Sequence, residues 1–278
     1  MKYFLKKLYS FTWVILLIFI LTGCNKADFP AQNSGLYENS QNYFEEYQQQ
    51  ENQQNSPKDF QLVEVIDPVL ETVIREALGK PQGPITEKDM HSIFELSYVG
   101  REGKKIKNLN GLEYAKNLQK LILRNNSIED LEPVSDLLSL SELNLQGNKI
   151  SDISPLCNLV NLKKLNVTNN FISDLSPLSE ISLSQLRLRN NKVDDISPLS
   201  NHTELEGMLC LHYNKIVDIS PISNMVKLKR LCLHGNEVTD IKMLLDLKKL
   251  EWLDITGNPI DDTDSIEKLK ESGVEILF

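Results

Sequence analysis

The amino-acid sequence predicts an α/β solenoid, a right-handed coil with a parallel β-sheet on its concave face and 3₁₀-like turns on its convex face, and three observations predict it. First, a Leu-x-x-Leu-x-Leu-x-x-Asn skeleton returns from Leu118 to Asn258, ending at Asn126, Asn148, Asn170, Asn191, Asn214, Asn236 and Asn258. Second, these asparagines fall about 22 residues apart, inside the period range of leucine-rich repeats. Third, the second half of each unit recurs as well, for example as Ser151-Asp152-Ile153-Ser154-Pro155-Leu156 and Ser173-Asp174-Leu175-Ser176-Pro177-Leu178.

At 278 residues, 41% of them hydrophobic, the chain can bury one continuous core. Its net charge of -9 argues against a nucleic-acid partner, for which a basic domain or stripe would be expected. The N-terminus reads as an export signal: Lys2, Lys6 and Lys7 precede a largely apolar run from Leu8 to Ile20, and Leu21-Thr22-Gly23-Cys24 follows. That run is shorter than the ~20 residues a spanning helix needs. The pattern resembles a bacterial lipoprotein signal over residues 1–23. The resemblance implies cleavage before Cys24, a diacylglycerol on its thiol, and a chain held by that lipid on the extracytoplasmic face of a bacterial membrane. Residues 24–58 are polar and low in complexity, and with too little apolar surface to offset ordering entropy they read as a tether. Tyr37, Tyr43, Phe44 and Tyr47 leave open a short recognition helix there.

Residues 59–104 read as a helical N-terminal cap, which a solenoid needs where its core would otherwise meet solvent. Asp67 is placed as an N-cap and Pro68 at the first helical position, Leu70, Val73, Ile74 and Ala77 share a face, and Gly79 stops the helix. Thr86-Glu87-Lys88-Asp89 resembles a capping box ahead of Met90, Ile93, Phe94 and Leu96, predicting a second short amphipathic helix.

The repeats occupy residues 105–260, one partial unit (Ile106, Leu109, Leu112, Ala115) and seven fuller ones. Leucines two apart, such as Leu143 and Leu145, point inward from a short strand, and the residues between them point outward. The closing Asn can satisfy backbone amides of the adjoining turn. Proline and the brevity of each second half exclude a long helix, so a tight turn is predicted. The column Asp130, Asp152, Asp174, Asp195, Asp218, Asp240 and Asp262 suggests calcium, but each Asp precedes a turn whose amides its short side chain can cap. A residue missing between Ile181 and Leu183, and one added between Leu205 and Leu209, predict small loop adjustments. Residues 261–278 read as a C-terminal cap, with a helix from Ile266 to Glu271 and a last strand from Val274 to Phe278.

With these turns, the 22-residue step, and the cap segments Ile74-Arg75-Glu76-Ala77-Leu78-Gly79-Lys80-Pro81 and Gly111-Leu112-Glu113-Tyr114, residues 67–278 resemble the internalin-type leucine-rich repeat proteins of bacteria. The resemblance implies a surface or secreted protein that binds a partner through its concave face, as several members bind host receptors. The sequence departs from the best-known members in having no immunoglobulin-like domain after the repeats and no sortase-type C-terminus, so host-cell invasion is not expected to carry over.

Three columns of outward residues would line the concave face. Basic residues dominate them: Lys120, Arg124, Lys164, Arg187, Arg189 and Arg230 stand against Glu142 and Asp254. Such a face attracts an acidic partner, and Tyr213 and Trp252 are side chains of the kind that anchor interfaces. Leu209-Cys210-Leu211-His212 is followed 22 residues later by Leu231-Cys232-Leu233-His234. Strands ~4.8 Å apart would gather Cys210, His212, Cys232 and His234 into one cluster. Two thiols and two imidazoles suit zinc; a Cys210–Cys232 disulfide, or a copied repeat with free thiols, remain alternatives.

The sequence therefore supports a binding protein for a protein or an anionic envelope polymer, anchored through lipid on Cys24. An envelope scaffold acting through tether and cap is the alternative. An enzyme centred on the Cys/His cluster is not expected, because no general base stands beside it and no phosphate loop or Ser-His-Asp motif occurs.

Overall fold

A computed structural model describes residues 61–278; the export signal, the lipidated Cys24 and the tether expected from sequence, with the first residues of the expected cap, lie outside the described residues. The described chain opens with helix α1 (Pro68–Leu78). Asp67 Oδ1 accepts hydrogen bonds from the amides of Val69 and Leu70, and Gly79 ends the helix at φ 61°, a left-handed conformation that costs glycine little. The other Asp67 oxygen accepts from the amides of Lys107 and Asn108 at 2.7 and 3.2 Å. One carboxylate thus caps the helix and ties it to the first repeat.

The capping box forms at Thr86 and Asp89, but helix α2 (Glu87–His91) is only five residues long. The expectation of a helix running through Phe94 and Leu96 is corrected here. Residues Glu95–Val99 instead form strand β1, which pairs with strand β2 (Lys120–Arg124) from Glu95↔Lys120 to Val99↔Arg124. Strand pairing satisfies five residues' worth of backbone that a longer helix would withdraw from the sheet edge, and it leaves Phe94 exposed.

Strands β3 (Glu142–Asn144), β4 (Lys164–Asn166), β5 (Gln185–Arg187), β6 (Gly207–Cys210), β7 (Leu228–Cys232), β8 (Trp252–Asp254) and β9 (Glu275–Leu277) follow. All nine lie in one parallel sheet in chain order, the architecture of a leucine-rich repeat solenoid. The convex side is made of 3₁₀ turns such as Ser154–Leu156, Ser176–Leu178 and Ser197–Leu199. Leucines and isoleucines from every repeat, among them Leu121, Leu143, Leu165, Leu186, Leu209, Leu231 and Leu253, form one continuous buried core.

The two polar ladders are structural. Asn148 Oδ1 accepts the Ile128 amide, while its Nδ2 donates to the carbonyls of Leu123 and Leu145; Asn170, Asn191, Asn214, Asn236 and Asn258 repeat this pattern. Each Asn thereby fastens its own strand end to the preceding repeat. Asp130, Asp152, Asp174, Asp195, Asp218 and Asp240 each accept the amide two residues on, capping the 3₁₀ turn. Asp262 accepts the Ser265 amide and caps helix α3 (Thr263–Glu271), one turn longer at its start than its apolar pattern suggested. Ile266, Leu269 and Val274 close the core at that end. The residue added after Leu205 is absorbed at Gly207, at φ 75°, where the β6–β7 register shifts. No helix among the described residues is long and apolar enough to cross a membrane.

Candidate functional site

The concave face follows from strand alternation and parallel register. With the leucines turned inward, Lys120, Glu142, Lys164 and Gln185 fall in one row, continued by Met208, Arg230 and Trp252. A second row runs Ile122, Asn144, Asn166, Arg187, Cys210, Cys232 and Asp254. Arg124, Gln146, Thr168, Arg189, His212, His234 and Thr256 make a third, continued by backbone hydrogen bonds past the strand ends. The concave residues singled out from sequence fall in these rows, except Tyr213, which follows His212 at the positive-φ position beyond the third row.

Within the first rows Glu142 lies between two lysines, 3.8 Å from Lys120 and 3.8 Å from Lys164. Arg187 and Arg189 are exposed and make no ion pair among the described residues. Glu142, Asn144, Lys164, Asn166, Gln185 and Arg187 line a shallow depression of about 210 Å³. Arg189 stacks over the Tyr213 ring at 5.3 Å and Arg230 over Trp252 at 4.8 Å, so both planar cations are held against aromatic faces.

Tyr213 carries a feature that strand periodicity did not reveal. Its φ is 53°, at a position where other repeats place Asn125, Gly147, Asn169, Asn190, Gly235 and Gly257, all with positive φ. A left-handed backbone is unfavourable for a bulky side chain, and aligning the repeats by this position would have marked Tyr213 as the odd member. The ring meets His234 edge-on at 4.8 Å, and a Cβ at Gly235 would lie 2.8 Å from it. Glycine at 235 is what lets the aromatic occupy this place.

The Cys/His cluster is tighter and more buried than an outward strand face requires. One ligand atom each from Cys210, His212 and Cys232 lie within 4.8 Å of one another. His234 departs from the four-cornered set expected from sequence: its Nδ1 is 4.0 Å from Asp254 Oδ1 and its ring packs on Tyr213. Asp254, in register with Cys232 on the adjoining strand, places Oδ2 3.4 Å from His212 Nε2. Cys232 is 3% and Asp254 8% exposed. All three cysteines of the described residues are free thiols.

Electrostatics separate the two thiols. A hydrogen bond from Cys232, the His212 amide, and the Arg189 and Arg187 charges together bring Cys210 down to about 7 against burial. Cys232 is pushed up, first by that same hydrogen bond and then by burial and the Asp254 charge. Burial lowers His212 despite the pull of Asp254, so its imidazole is neutral at pH 7.

The family model described as leucine-rich repeats in two copies matches residues 116–156 and 138–180. No curated protein matches. Among solved structures, internalin C2 from Listeria monocytogenes is 30% identical, with the match covering 76% of this chain and 92% of that one at a TM-score of 0.66. Internalin InlF from the same organism is 31% identical over 76% and 74% of the two chains, with a TM-score of 0.53. The functional domain of InlJ, also from Listeria monocytogenes and described as including a cysteine ladder, shares the fold at 19% identity, a TM-score of 0.54, and coverage of 76% and 59%.

Proposed function

We propose that this chain, which belongs to the internalin-like leucine-rich repeat proteins, is a non-enzymatic binding protein that holds an acidic partner, a protein or an anionic envelope polymer, on its concave face. Arg187 and Arg189, exposed, without an ion pair among the described residues and presented on a rigid sheet, carry this reading. A sheet fixes their spacing before the partner arrives, which lowers the ordering cost of association. The protein is acidic overall, so a local basic face orients an acidic partner toward that surface. Tyr213, kept in an unfavourable backbone conformation under Arg189, adds a rigid aromatic anchor beside the charges. The lipoprotein-type signal supports a chain anchored through lipid on Cys24 at the extracytoplasmic face of a bacterial membrane.

The double charge reversal Arg187→Glu with Arg189→Glu tests the face. Binding of the full chain to immobilised polyglutamate or polyglycerol phosphate should weaken roughly 10–100-fold at low salt, with an unchanged melting temperature. Equal binding by wild type and variant would overturn the proposal.

A further inference from the structure

We propose that Cys210, Cys232 and His212 form a binding site for one thiophilic divalent metal ion, zinc by the chemistry of its donors, with Asp254 placed to complete the coordination. The inference does not depend on what the basic part of the face binds.

The geometry comes from the repeat itself. Cys210 and Cys232 are register partners on β6 and β7, and His212 follows Cys210 by two residues, so all three project to one side of the sheet. Their ligand atoms already lie within 4.8 Å of one another. In a tetrahedral zinc site with Zn–S near 2.3 Å and Zn–N near 2.0–2.1 Å, neighbouring ligand atoms sit about 3.3–3.8 Å apart. The widest pair therefore has at most about 1–1.5 Å to close, a distance within the reach of side-chain rotation.

Two further observations point inward to a ligand. His212 Nε2 is buried and makes no hydrogen bond, and the Asp254 carboxylate at 3.4 Å does not supply one despite its charge. Asp254 is itself buried beside Cys232 and already positioned by the Thr256 amide, which donates to Oδ1 and leaves Oδ2 on the His212 side. Two thiolates, one neutral imidazole and one carboxylate make a net −3 donor set that prefers a divalent ion of borderline softness to calcium or magnesium. Binding releases one proton from each thiol that is protonated, and no electron is transferred. His234, whose ring neighbours His212 at 5.7 Å but packs on Tyr213, offers no ligand atom to this set and serves as an internal control.

The full chain, purified without a histidine tag, reduced and stripped with chelator, should take up one equivalent of Co²⁺. The bound ion should show thiolate-to-cobalt charge-transfer bands and the intense visible bands of tetrahedral cobalt, and one equivalent of Zn²⁺ should abolish both. Cys210→Ser with Cys232→Ser should lose the charge-transfer bands. His212→Ala should weaken affinity at least about tenfold and Asp254→Asn by less. Cys24→Ser, Cys157→Ser and His234→Ala should keep the spectrum, with circular dichroism confirming that each variant is folded. No stoichiometric cobalt in the wild type, an unchanged spectrum in the folded double serine variant, or loss of the bands with Cys157→Ser or Cys24→Ser would overturn the site. So would a Cys210–Cys232 disulfide that re-forms in air while the reduced chain takes up no metal.

Discussion

Strands β2–β5 and strands β6–β8 share one backbone frame and one register, yet their outward faces differ in kind. On the first group the long polar side chains reach solvent: Lys164, Gln185 and Arg187 are exposed, and Glu142 pairs loosely with lysines on both sides. On the second group Cys210, His212, Cys232 and Asp254 turn toward one another and bury polar atoms on what is formally a solvent face. Short side chains cannot reach past their neighbours into water, so they interact laterally across the ~4.8 Å strand spacing, whereas long ones extend away from it. One frame thus presents a solvated, charged surface beside a compact donor cluster.

If the frame is common property, breaking it should damage both halves at once. Asn170 sits near their boundary, 5% exposed, with Oδ1 accepting from Ile150 and Nδ2 donating to Leu145 and Val167. Asn170→Ala leaves the buried Ile150 amide without a partner and strips one of two side-chain donors from the Leu145 and Val167 carbonyls, which Asn148 and Asn191 still serve, and should cost about 1–3 kcal/mol by denaturant unfolding. A loss below about 1 kcal/mol would mean that the ladder decorates the repeat and does not hold it.

The frame was legible in the sequence because each of its residues has one local job. A leucine every second strand position and an Asn at each strand end leave periodic marks, and the residue inserted after Leu205 announced the register shift at Gly207. Strand β1 was not legible, since Glu95–Val99 lacks a closing Asn and follows directly on a real capping box, so helix signals masked it. The columns of the concave face could be written down from spacing alone. What each column member touches could not: that Asp254 faces His212 while His234 packs on Tyr213 depends on rotamers, and that Asp67 reaches residues 107 and 108 depends on how the cap docks.

A smaller effect distinguishes frame from face by pH. His202 is 2% exposed and stands where neighbouring repeats bury Leu159, Ile181 and Met225, with neither ring nitrogen in a hydrogen bond. Burial lowers its pKa, opposed in part by the Leu199 carbonyl. The folded state therefore keeps His202 neutral while the unfolded chain binds a proton below pH 6.5, so stability present above that pH falls as acid is added. His212 on the concave face acts in the same direction. His202→Leu should raise stability at pH 7 by about 1 kcal/mol and flatten part of the decline below pH 6.5, leaving the share that belongs to His212. Parallel unfolding curves for variant and wild type from pH 7 to 5 would assign the whole acid response elsewhere.

The least perturbing change sharpens the contrast between the halves. The two Glu142 contacts are 3.8 Å long and lie on half-exposed side chains, so they hold little stability, and Glu142→Gln should shift unfolding by less than about 0.5 kcal/mol. The same change removes the one carboxylate from the depression lined by Lys164 and Arg187. If strands β2–β5 act through charge, affinity for polyglutamate should rise about two- to threefold at low salt, and the gain should vanish as salt screens the field. Metal uptake at the β6–β8 cluster should stay as it was, because Glu142 stands three strands from Cys210 and on the far side of Arg187. A gain in polyglutamate binding that persists at high salt would point to shape and not charge as what the first half offers.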